Sequence, residues 1–244
     1  ESDRGQVHAI NKCRSRATGE FFNWINSDDV LAPNALFRIA QAAGNCDLVA
    51  GACYNFDSAG NRTQVRNSRL SLDELLGGAE AAVFHQPAVW WRREWLDRCG
   101  GLDGRYDLAF DYDLLLRYLG LNPRIVYVPE VLAHFRLHPR SKTCSRARDF
   151  GPERERILEE LAAHAPHTGI RKACRRRLRQ LRWWRQVAQM SRPTPGSRMS
   201  RATGLLLKAL ADPALRVNRF TLGAVRKILS GRSAGAPPPN AIRI

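Results

Sequence analysis

The sequence has no long hydrophobic run and shows no leader segment. No apolar stretch approaches the roughly 18 residues that a membrane-spanning helix needs. The first residues are not a charged and then apolar stretch, so the sequence predicts no signal peptide. With 244 residues, 44% of them hydrophobic and 25% charged, the composition is typical of a soluble globular protein with one sizeable core and an appendage.

The chain also lacks the cysteine spacings that mark a metal or redox site. Its six cysteines stand at positions 13, 46, 53, 99, 144 and 174, none forms a C-x-x-C pair, and no neighbouring histidine completes a zinc spacing. Free, mostly buried thiols in a reducing cytoplasm are therefore the main prediction, with disulfides or a metal site as the alternative.

Acidic residues are scarce in the C-terminal part. Residues 1–149 contain 19 Lys/Arg and 18 Asp/Glu, whereas residues 150–244 contain 20 and 5, so the second part carries +15 of the total +16. We take this change of composition as a domain boundary. It predicts one domain over 1–149, a basic helical region over 150–190, and a linker, short amphipathic helices and a disordered tail over 191–244.

The N-terminal part alternates predicted helices and strands, which favours a layered α/β domain. The predicted strands are 21–26, 47–56 and 124–138, the last broken by Pro129, and the predicted helices are 6–17, 33–43, 72–76, 92–99 and 110–120. After residue 150 we predict helices over 152–165 and 170–190, a linker over 191–200, and short amphipathic segments near 203–211 and 220–229.

Two adjacent carboxylates, Asp28 and Asp29, follow the first predicted strand and precede a helix that begins at Pro33. A carboxylate where the chain leaves a sheet lies in the crevice where α/β sheets bind ligands. Mg²⁺ typically uses one or two such carboxylates together with substrate phosphates. Taken alone, such a pair before a helix is more often a helix N-cap than a metal site.

Three ordered blocks of the sequence resemble the family 2 glycosyltransferases, which have the GT-A fold. The first block runs from "SDRGQVHAINK" through "ATGE" to "NSDD", the second is "FHQPAVWWRREWLDRCGGLDGRYDLAFDYDLLLRY", and the third is "YVPEVLAHFRLHPRSKT". The resemblance covers residues 1 to about 145. It implies transfer of a sugar from a nucleoside diphosphate donor to a hydroxyl, with inversion at the anomeric carbon and a divalent Mg or Mn ion.

The sequence also departs from that family. Asn26 stands where many relatives carry an Asp, Phe110 where many carry a Glu, and Trp90 where Phe is usual. The family's first strands, which help to hold the nucleotide base, have no counterpart here. We therefore expect a partial GT-A domain and a fragment of a longer reading frame.

The resemblance implies roles for three aspartates. Asp28 and Asp29 are the expected metal ligands, with Asp29 favoured for direct ligation. Asp111 is the expected general base that accepts the acceptor's proton, with Asp113 in reserve. Without the resemblance, Asp111 is an acidic residue near a helix N-terminus that the helix dipole favours.

The remaining expected site residues bind donor or acceptor. The expected donor-binding residues are Asp3, Arg4, Gly5, Asn11, Lys12, Ser27 and His138. The expected acceptor-binding residues are Gln86 and Trp91, because amides and aromatic faces suit sugars. Each has a structural alternative: helix-start loop and solvated helix residues for the donor set, core packing for the tryptophan, and an ordinary strand histidine for His138.

A basic segment over residues 171–185 contains eight Lys/Arg, with Ile170, Ala173, Leu178, Leu181 and Trp184 as apolar companions. Such a helix suits an anionic membrane surface and a lipid-linked or glycan acceptor at the cytoplasmic face. A solvated arginine-rich face and nucleic-acid binding are the alternatives, the latter unsupported by any motif in the catalytic part. For the whole chain, the rivals to a bacterial-type transferase of polysaccharide or glycoconjugate synthesis are a non-catalytic sugar-binding relative and a basic binding module.

Overall fold

A computed structural model describes residues 2–76, 83–190, 198–211 and 219–230. A mixed β-sheet lies between helices packed on both of its faces. The strands are β1 (Phe21–Phe22), β2 (Val30–Leu31), β3 (Leu48–Asp57), β4 (Arg62–Arg66), β5 (Val89–Arg92) and β6 (Ile125–Leu137). The helices are α1 (Gln6–Arg16), α2 (Ala35–Ala42), α3 (Leu72–Leu76), α4 (Arg93–Arg98), α5 (Phe110–Leu119), α6 (Lys142–Ser145), α7 (Phe150–His164), α8 (Thr168–Met190), α9 (Arg198–Ala211) and α10 (Arg219–Leu229).

The sheet has the strand order β1-β5-β3-β6-β2, and β4 pairs with the second half of β3. β3 and β6 run parallel, and the other pairs are antiparallel. Buried residues of β3 alternate between two clusters, as expected for a strand covered on both faces. Leu48 and Ala50 pack with α5, α7 and α8, whereas Val49 and Cys53 pack with α2.

The predicted break at Pro129 is a bulge within one continuous strand. Tyr127 of β6 pairs with Ala50, and Val131 pairs with Ala52, so β6 carries extra residues opposite Gly51. Pro129 stands in this irregular stretch, where a ladder hydrogen bond is not needed. A side chain at Gly51 would meet Leu132 at 2.5 Å, so the close approach requires glycine.

The predicted strand over 21–26 is shorter than expected. Only Phe21 and Phe22 pair with β5, because side-chain amides take over the hydrogen bonding of the following residues. Asn23 Nδ2 donates to the Pro87 carbonyl at 2.9 Å, and Gln86 Nε2 donates to the Trp24 carbonyl at 2.9 Å. The segment that leads to Asp28 is thus held by specific side chains rather than by a sheet ladder.

The composition boundary at residue 150 is not a boundary in the packing. Ile157 and Leu161 of α7 and Ile170 and Leu178 of α8 belong to the same buried cluster as Leu48 of the sheet. The charge change reflects only the exposed faces of these helices, while their buried faces complete the core of the preceding domain. α7 and α8 therefore pack into the same core as the sheet, so the predicted division at 149 and 150 does not separate two hydrophobic cores.

The basic segment 171–185 has its apolar side chains in the core. Ile170, Ala173 and Leu178 are at most 8% exposed and cannot enter a bilayer, and Leu181 is partly buried against the same cluster. The side chain of Trp184 lies outside the described part. The expected apolar contact of this segment with a membrane is thus corrected, and its outward face is cationic.

The short C-terminal helices agree with prediction in position, although α9 begins at Arg198, inside the expected linker. The rest of that linker and the predicted disordered tail lie outside the described residues. All six cysteines are free. None of the described helices has the length and hydropathy to cross a membrane.

Candidate active site

A cavity of about 380 Å³ opens where the segment after β1, the start of α5 and the end of β6 meet. Asp28 lies on its wall, and so does Asp111. Trp24, Phe84, Phe110, Tyr112, Phe135 and Phe150 supply its aromatic lining. Carboxylates at separate places in a partly apolar cavity are the arrangement expected of a small-molecule site.

Asp28 is joined to the end of β6 through His138. His138 Nε2 lies 2.8 Å from Asp28 Oδ2, and both side chains line the cavity. Ser27 lines it as well. The strand carries His138 to this place because β6 ends at Leu137, directly beside the turn that follows β1. His134, four residues earlier in β6, stacks on Tyr54 instead and does not line the cavity.

Asp29 has a different environment from its neighbour. It is 8% exposed, its Oδ1 accepts from the Arg136 backbone N–H at 2.9 Å, and its Oδ2 accepts from Asn26 Nδ2 at 2.9 Å. Burial raises the pKa of Asp29, while the two hydrogen bonds act against that rise. Both oxygens of Asp29 are occupied and the residue does not line the cavity, so Asp28 rather than Asp29 faces the cavity.

Asn26, a departure from the family pattern, links this turn to α1. It accepts from Gln6 Nε2 at 2.8 Å while donating to Asp29. Lys142 Nζ reaches Gln6 Oε1 at 3.3 Å and thereby connects the loop after β6 to the same relay. An amide at this position both donates and accepts, which an aspartate cannot do when ionised.

Asp111 lies in the first turn of α5 and faces the cavity. Its Oδ1 accepts from the Tyr112 backbone N–H at 2.8 Å. Burial raises the pKa of Asp111 to about 6, and the nearby charge of Arg154 acts in the opposite direction. A carboxylate with this pKa is ionised at neutral pH and remains basic enough to accept a proton from a hydroxyl during reaction.

The loop before α5 is held from outside the predicted catalytic domain. Glu153 of α7 accepts hydrogen bonds from the backbone N–H groups of Asp107, Leu108 and Ala109, at 2.9, 2.7 and 2.6 Å. The side chain of Asp107 in turn accepts from Lys142 at 2.6 Å. These contacts fix where α5 begins and therefore where Asp111 stands.

Asp113, the reserve candidate, is used structurally. It is buried and its Oδ2 accepts from Arg117 at 2.6 and 3.0 Å. Arg117 also donates to the Gly101 carbonyl at 2.9 Å, so the pair fastens α5 to the turn after α4. Asp113 does not line the cavity.

The two expected acceptor residues are separated by the structure. Gln86 lines the cavity, and its amide holds Asn23 Oδ1 at 2.7 Å. Trp91 is fully buried and packs edge-on against Tyr118 with ring centroids 5.0 Å apart. Trp91 therefore belongs to the core, and its expected contact with an acceptor is corrected.

Of the expected donor set, the residues before and within α1 lie outside the cavity. Asp3 accepts from Lys12 at 2.9 Å, and this contact is the largest cause of its lowered pKa. Asn11 exchanges hydrogen bonds with the backbone of Leu102 at 2.8 and 3.1 Å and so fixes the turn before α5. Gly5 has φ +113°, a conformation that glycine adopts without strain, and Arg4 is exposed.

The cavity could hold a divalent ion only together with a ligand that supplies further oxygen atoms to it. Asp28 and His138 offer one carboxylate and one imidazole, both of them accepted metal ligands. Among the described residues there is no group of three or more His, Cys, Asp or Glu side chains that would enclose an ion alone. The donor set therefore suits an ion whose remaining ligands are phosphate oxygens and water.

Sequence reasoning missed several cavity residues. Arg140 and Lys142 follow His138 in the loop after β6, and Arg154 enters from α7. Buried His85 lies on the wall, and burial lowers its pKa to about 4, so it is neutral. Arg140 and Lys142 lie in the third block that resembles the family, so the sequence could have indicated them. No sequence signal distinguishes Arg154 from the other arginines of the basic part.

Comparisons with known proteins concern the family and the fold. Residues 1–100 match the model of the family described as glycosyl transferase family 2. A search of the curated proteins finds no match. Among solved structures, TarS 1-349 from S. aureus in complex with UDP-GlcNAc is 16% identical, with a TM-score of 0.53, over 94% of this chain and 70% of that one. At this identity the likeness shows the fold alone, which is the expected GT-A type.

Two further structures have lower TM-scores. A longer TarS structure from S. aureus is 15% identical with a TM-score of 0.48, over 90% of this chain and 40% of that chain. A mannosyltransferase from Pyrobaculum calidifontis, solved with GDP-Man and Mn²⁺, is 18% identical with a TM-score of 0.48, over 94% of this chain and 66% of that chain. These likenesses are too distant to support an argument about residues here.

Proposed function

We propose that this chain, whose residues 1–100 match the glycosyl transferase family 2 model, transfers a sugar from a nucleoside diphosphate donor to an acceptor hydroxyl in the cavity between Asp28 and Asp111. The observation that carries the proposal is the cavity itself. The carboxylate–imidazole pair of Asp28 and His138 lines the same cavity as Asp111, whose pKa is raised, in a domain of the glycosyltransferase fold.

The reaction proposed is a single displacement with inversion. The acceptor oxygen forms a bond to the anomeric carbon as the bond from that carbon to the diphosphate oxygen breaks. The bonding electron pair leaves with the nucleoside diphosphate, and the acceptor's proton passes to Asp111. Because base and leaving group must lie on opposite sides of the anomeric carbon, the configuration inverts.

The departing diphosphate gains negative charge, and the residues around Asp28 are arranged to hold it. Arg140 and Lys142 follow His138 along the loop after β6, and both line the cavity. Fixed cationic groups in a partly desolvated site stabilise charge that develops during reaction. A Mg or Mn ion, when bound by Asp28 and His138, would supply further charge neutralisation at the phosphate oxygens.

The setting we propose is bacterial-type polysaccharide or glycoconjugate synthesis at the cytoplasmic face of a membrane, with a glycan or lipid-linked acceptor. Two surface features support it. Lys172 and Arg179 are exposed on α8, and large apolar side chains, Leu207 and Leu222, are 62% and 51% exposed on α9 and α10. Cationic and apolar side chains on neighbouring helices suit an anionic bilayer surface.

The experiment that tests the site is calorimetric titration of UDP-GlcNAc and GDP-Man, with and without Mn²⁺, into wild type, Asp28→Asn and Asp29→Asn. We expect Mn²⁺ to tighten binding of one donor to wild type. Asp28→Asn should lose about tenfold or more of that gain, since loss of an ionic ligand costs at least 1.4 kcal/mol.

Asp29→Asn is the matched control, because its carboxylate is already committed to Arg136 and Asn26. The folded variant should keep the gain in affinity from Mn²⁺. Full metal-dependent binding by Asp28→Asn would contradict the proposed site.

A further inference from the structure

Arg154 is a buried cation without a partner. Its side chain enters the cavity from α7, and the residue is 8% exposed. Within the described part of the chain, Nε is buried without a hydrogen-bond acceptor, and the guanidinium forms no ion pair. Its neighbours are aromatic: the guanidinium carbon lies 5.3 Å from the Tyr112 ring centroid and 5.8 Å from that of Phe150.

Such an arrangement is costly unless a ligand completes it. A buried ionic group without a hydrogen-bonded counter-charge loses much of its solvation energy, and two cation–π contacts are too weak to offset that loss. Arginine cannot relieve the cost by deprotonation. The planar fork of guanidinium donors matches the geometry of a carboxylate or phosphate.

Arg154 acts at the Asp111 end of the cavity rather than at the Asp28 end. The charged groups that influence Asp111 are Arg154 and Glu153, whereas those that influence Asp29 are Asp28 and His138. If Asp111 is the base, the acceptor hydroxyl lies at its carboxylate, and Arg154 faces the group next to that hydroxyl.

We propose that Arg154 binds an oxyanion, phosphate or carboxylate, carried by the acceptor beside its reacting hydroxyl. The proposal rests on the proposed function and narrows the acceptor to an anionic one. The neighbouring rings of Tyr112 and Phe150 exclude water from the contact and hold the guanidinium in one orientation. A neutral sugar acceptor would leave the guanidinium without a hydrogen-bonded anion, since Asp111 acts on it only through space.

The test uses the whole 244-residue chain and two small probes, inorganic phosphate and glucuronate, titrated with UDP present to fill the diphosphate end. Binding is measured by calorimetry for wild type, Arg154→Gln, Arg154→Lys and Arg156→Gln. The last is the matched control, because Arg156 lies two positions away on the exposed face of α7 and donates to the Arg105 carbonyl.

We expect saturable binding of one probe to wild type, and the probe that binds identifies the anion as phosphate or carboxylate. Arg154→Gln should weaken it by about tenfold or more, the value of losing a charge-assisted hydrogen bond. Arg154→Lys, which keeps the charge and guards against a folding defect, should retain part of the affinity, and Arg156→Gln should bind as wild type does.

Three results would overturn the proposal. The first is that Arg154→Gln binds each probe with the same affinity as wild type does. The second is that neither probe binds saturably to wild type. The third is a loss of UDP affinity in Arg154→Gln with anion binding unchanged, which would place Arg154 on the donor diphosphate. None of these readouts requires turnover, so a failure here is distinct from a failure of the transferase proposal, which shows in metal-dependent donor binding.

Discussion

Replacing Asp111 with Asn separates the catalytic role of this residue from its structural one. Asparagine has the same shape and its side-chain oxygen can still accept the Tyr112 backbone N–H, so the start of α5 should be preserved. It cannot accept a proton. Loss of a general base lowers the rate by about 10²- to 10⁴-fold, and we expect the release of nucleoside diphosphate to fall by that factor while donor affinity stays within about twofold.

The same substitution should make the fold more stable. Burial raises the pKa of Asp111 from 3.8 to about 6, which means that the folded state disfavours the ionised carboxylate. The shift of about two units corresponds to an upper value of about 3 kcal/mol. Asn removes this cost, so the free energy of unfolding should rise by roughly 1–3 kcal/mol above pH 6.

The stability difference between Asp111→Asn and wild type should depend on pH. Below about pH 4 the carboxyl is protonated in both the folded and the unfolded state, and the variant should have no advantage. Between about pH 4 and 6 the unfolded state loses its proton first, so wild type loses stability relative to Asp111→Asn. Urea unfolding at pH 4 and pH 8 measures the difference.

Asp113→Asn is the control on the same helix. Burial raises the pKa of Asp113 as well, but here Asn would leave the guanidinium of Arg117, which donates to Oδ2 through two nitrogens, without its anion. This variant should therefore lower stability at pH 8 by about 1–3 kcal/mol. An Asp111→Asn variant that releases nucleoside diphosphate at the wild-type rate, or that is destabilised as Asp113→Asn is, would refute the reasoning.

Three other predictions follow from the same contacts. Glu153→Gln, with one acceptor oxygen instead of two, should lower stability by about 1–2 kcal/mol in urea unfolding and also lower transfer, because Glu153 fixes the loop before α5; unchanged unfolding would contradict this. Wild-type kcat/KM should fall as pH drops through about 6, following Asp111, and a flat profile from pH 5 to 8 would exclude it as base. Binding to anionic vesicles should weaken with salt and on Lys172→Gln with Arg179→Gln, whereas binding to neutral vesicles should not change.

The sequence predicted those parts of the fold that depend on local patterns. The helix that begins at Phe110 follows from its apolar periodicity. The helix at Leu72 follows from a capping-box pattern, in which Ser71 is followed three residues later by Glu74. In the structure the Glu74 N–H does donate to Ser71 Oγ, at 3.2 Å. β3 follows from an apolar run bounded by turn residues. Asp28 and His138 were both predicted as site residues, and in the structure Asp28 Oδ2 lies 2.8 Å from His138 Nε2.

Other features depend on partners distant in sequence and could not be read locally. Neighbouring aspartates look alike in sequence, yet Asp29 is committed to Arg136, more than a hundred positions away. Trp91 alternates with its neighbours in β5, and alternation does not say which face of the sheet holds the ligand.

The charge of the C-terminal part concealed its role in the site. A net charge counts exposed and buried side chains equally, so the basic composition of α7 and α8 suggested a separate region. Their buried faces complete the core, and α7 contributes Arg154 to the cavity wall and Glu153 to the loop before α5. A single buried arginine among many exposed ones becomes visible only once the packing is known.

The most direct test of the account is a crystal structure of the chain with UDP and Mn²⁺, recorded at a wavelength where manganese scatters anomalously. The account predicts one strong anomalous peak between Asp28 and His138, with the diphosphate beside it and the open end of the cavity facing Asp111. A manganese peak away from Asp28, or a nucleotide bound outside this cavity, would contradict it.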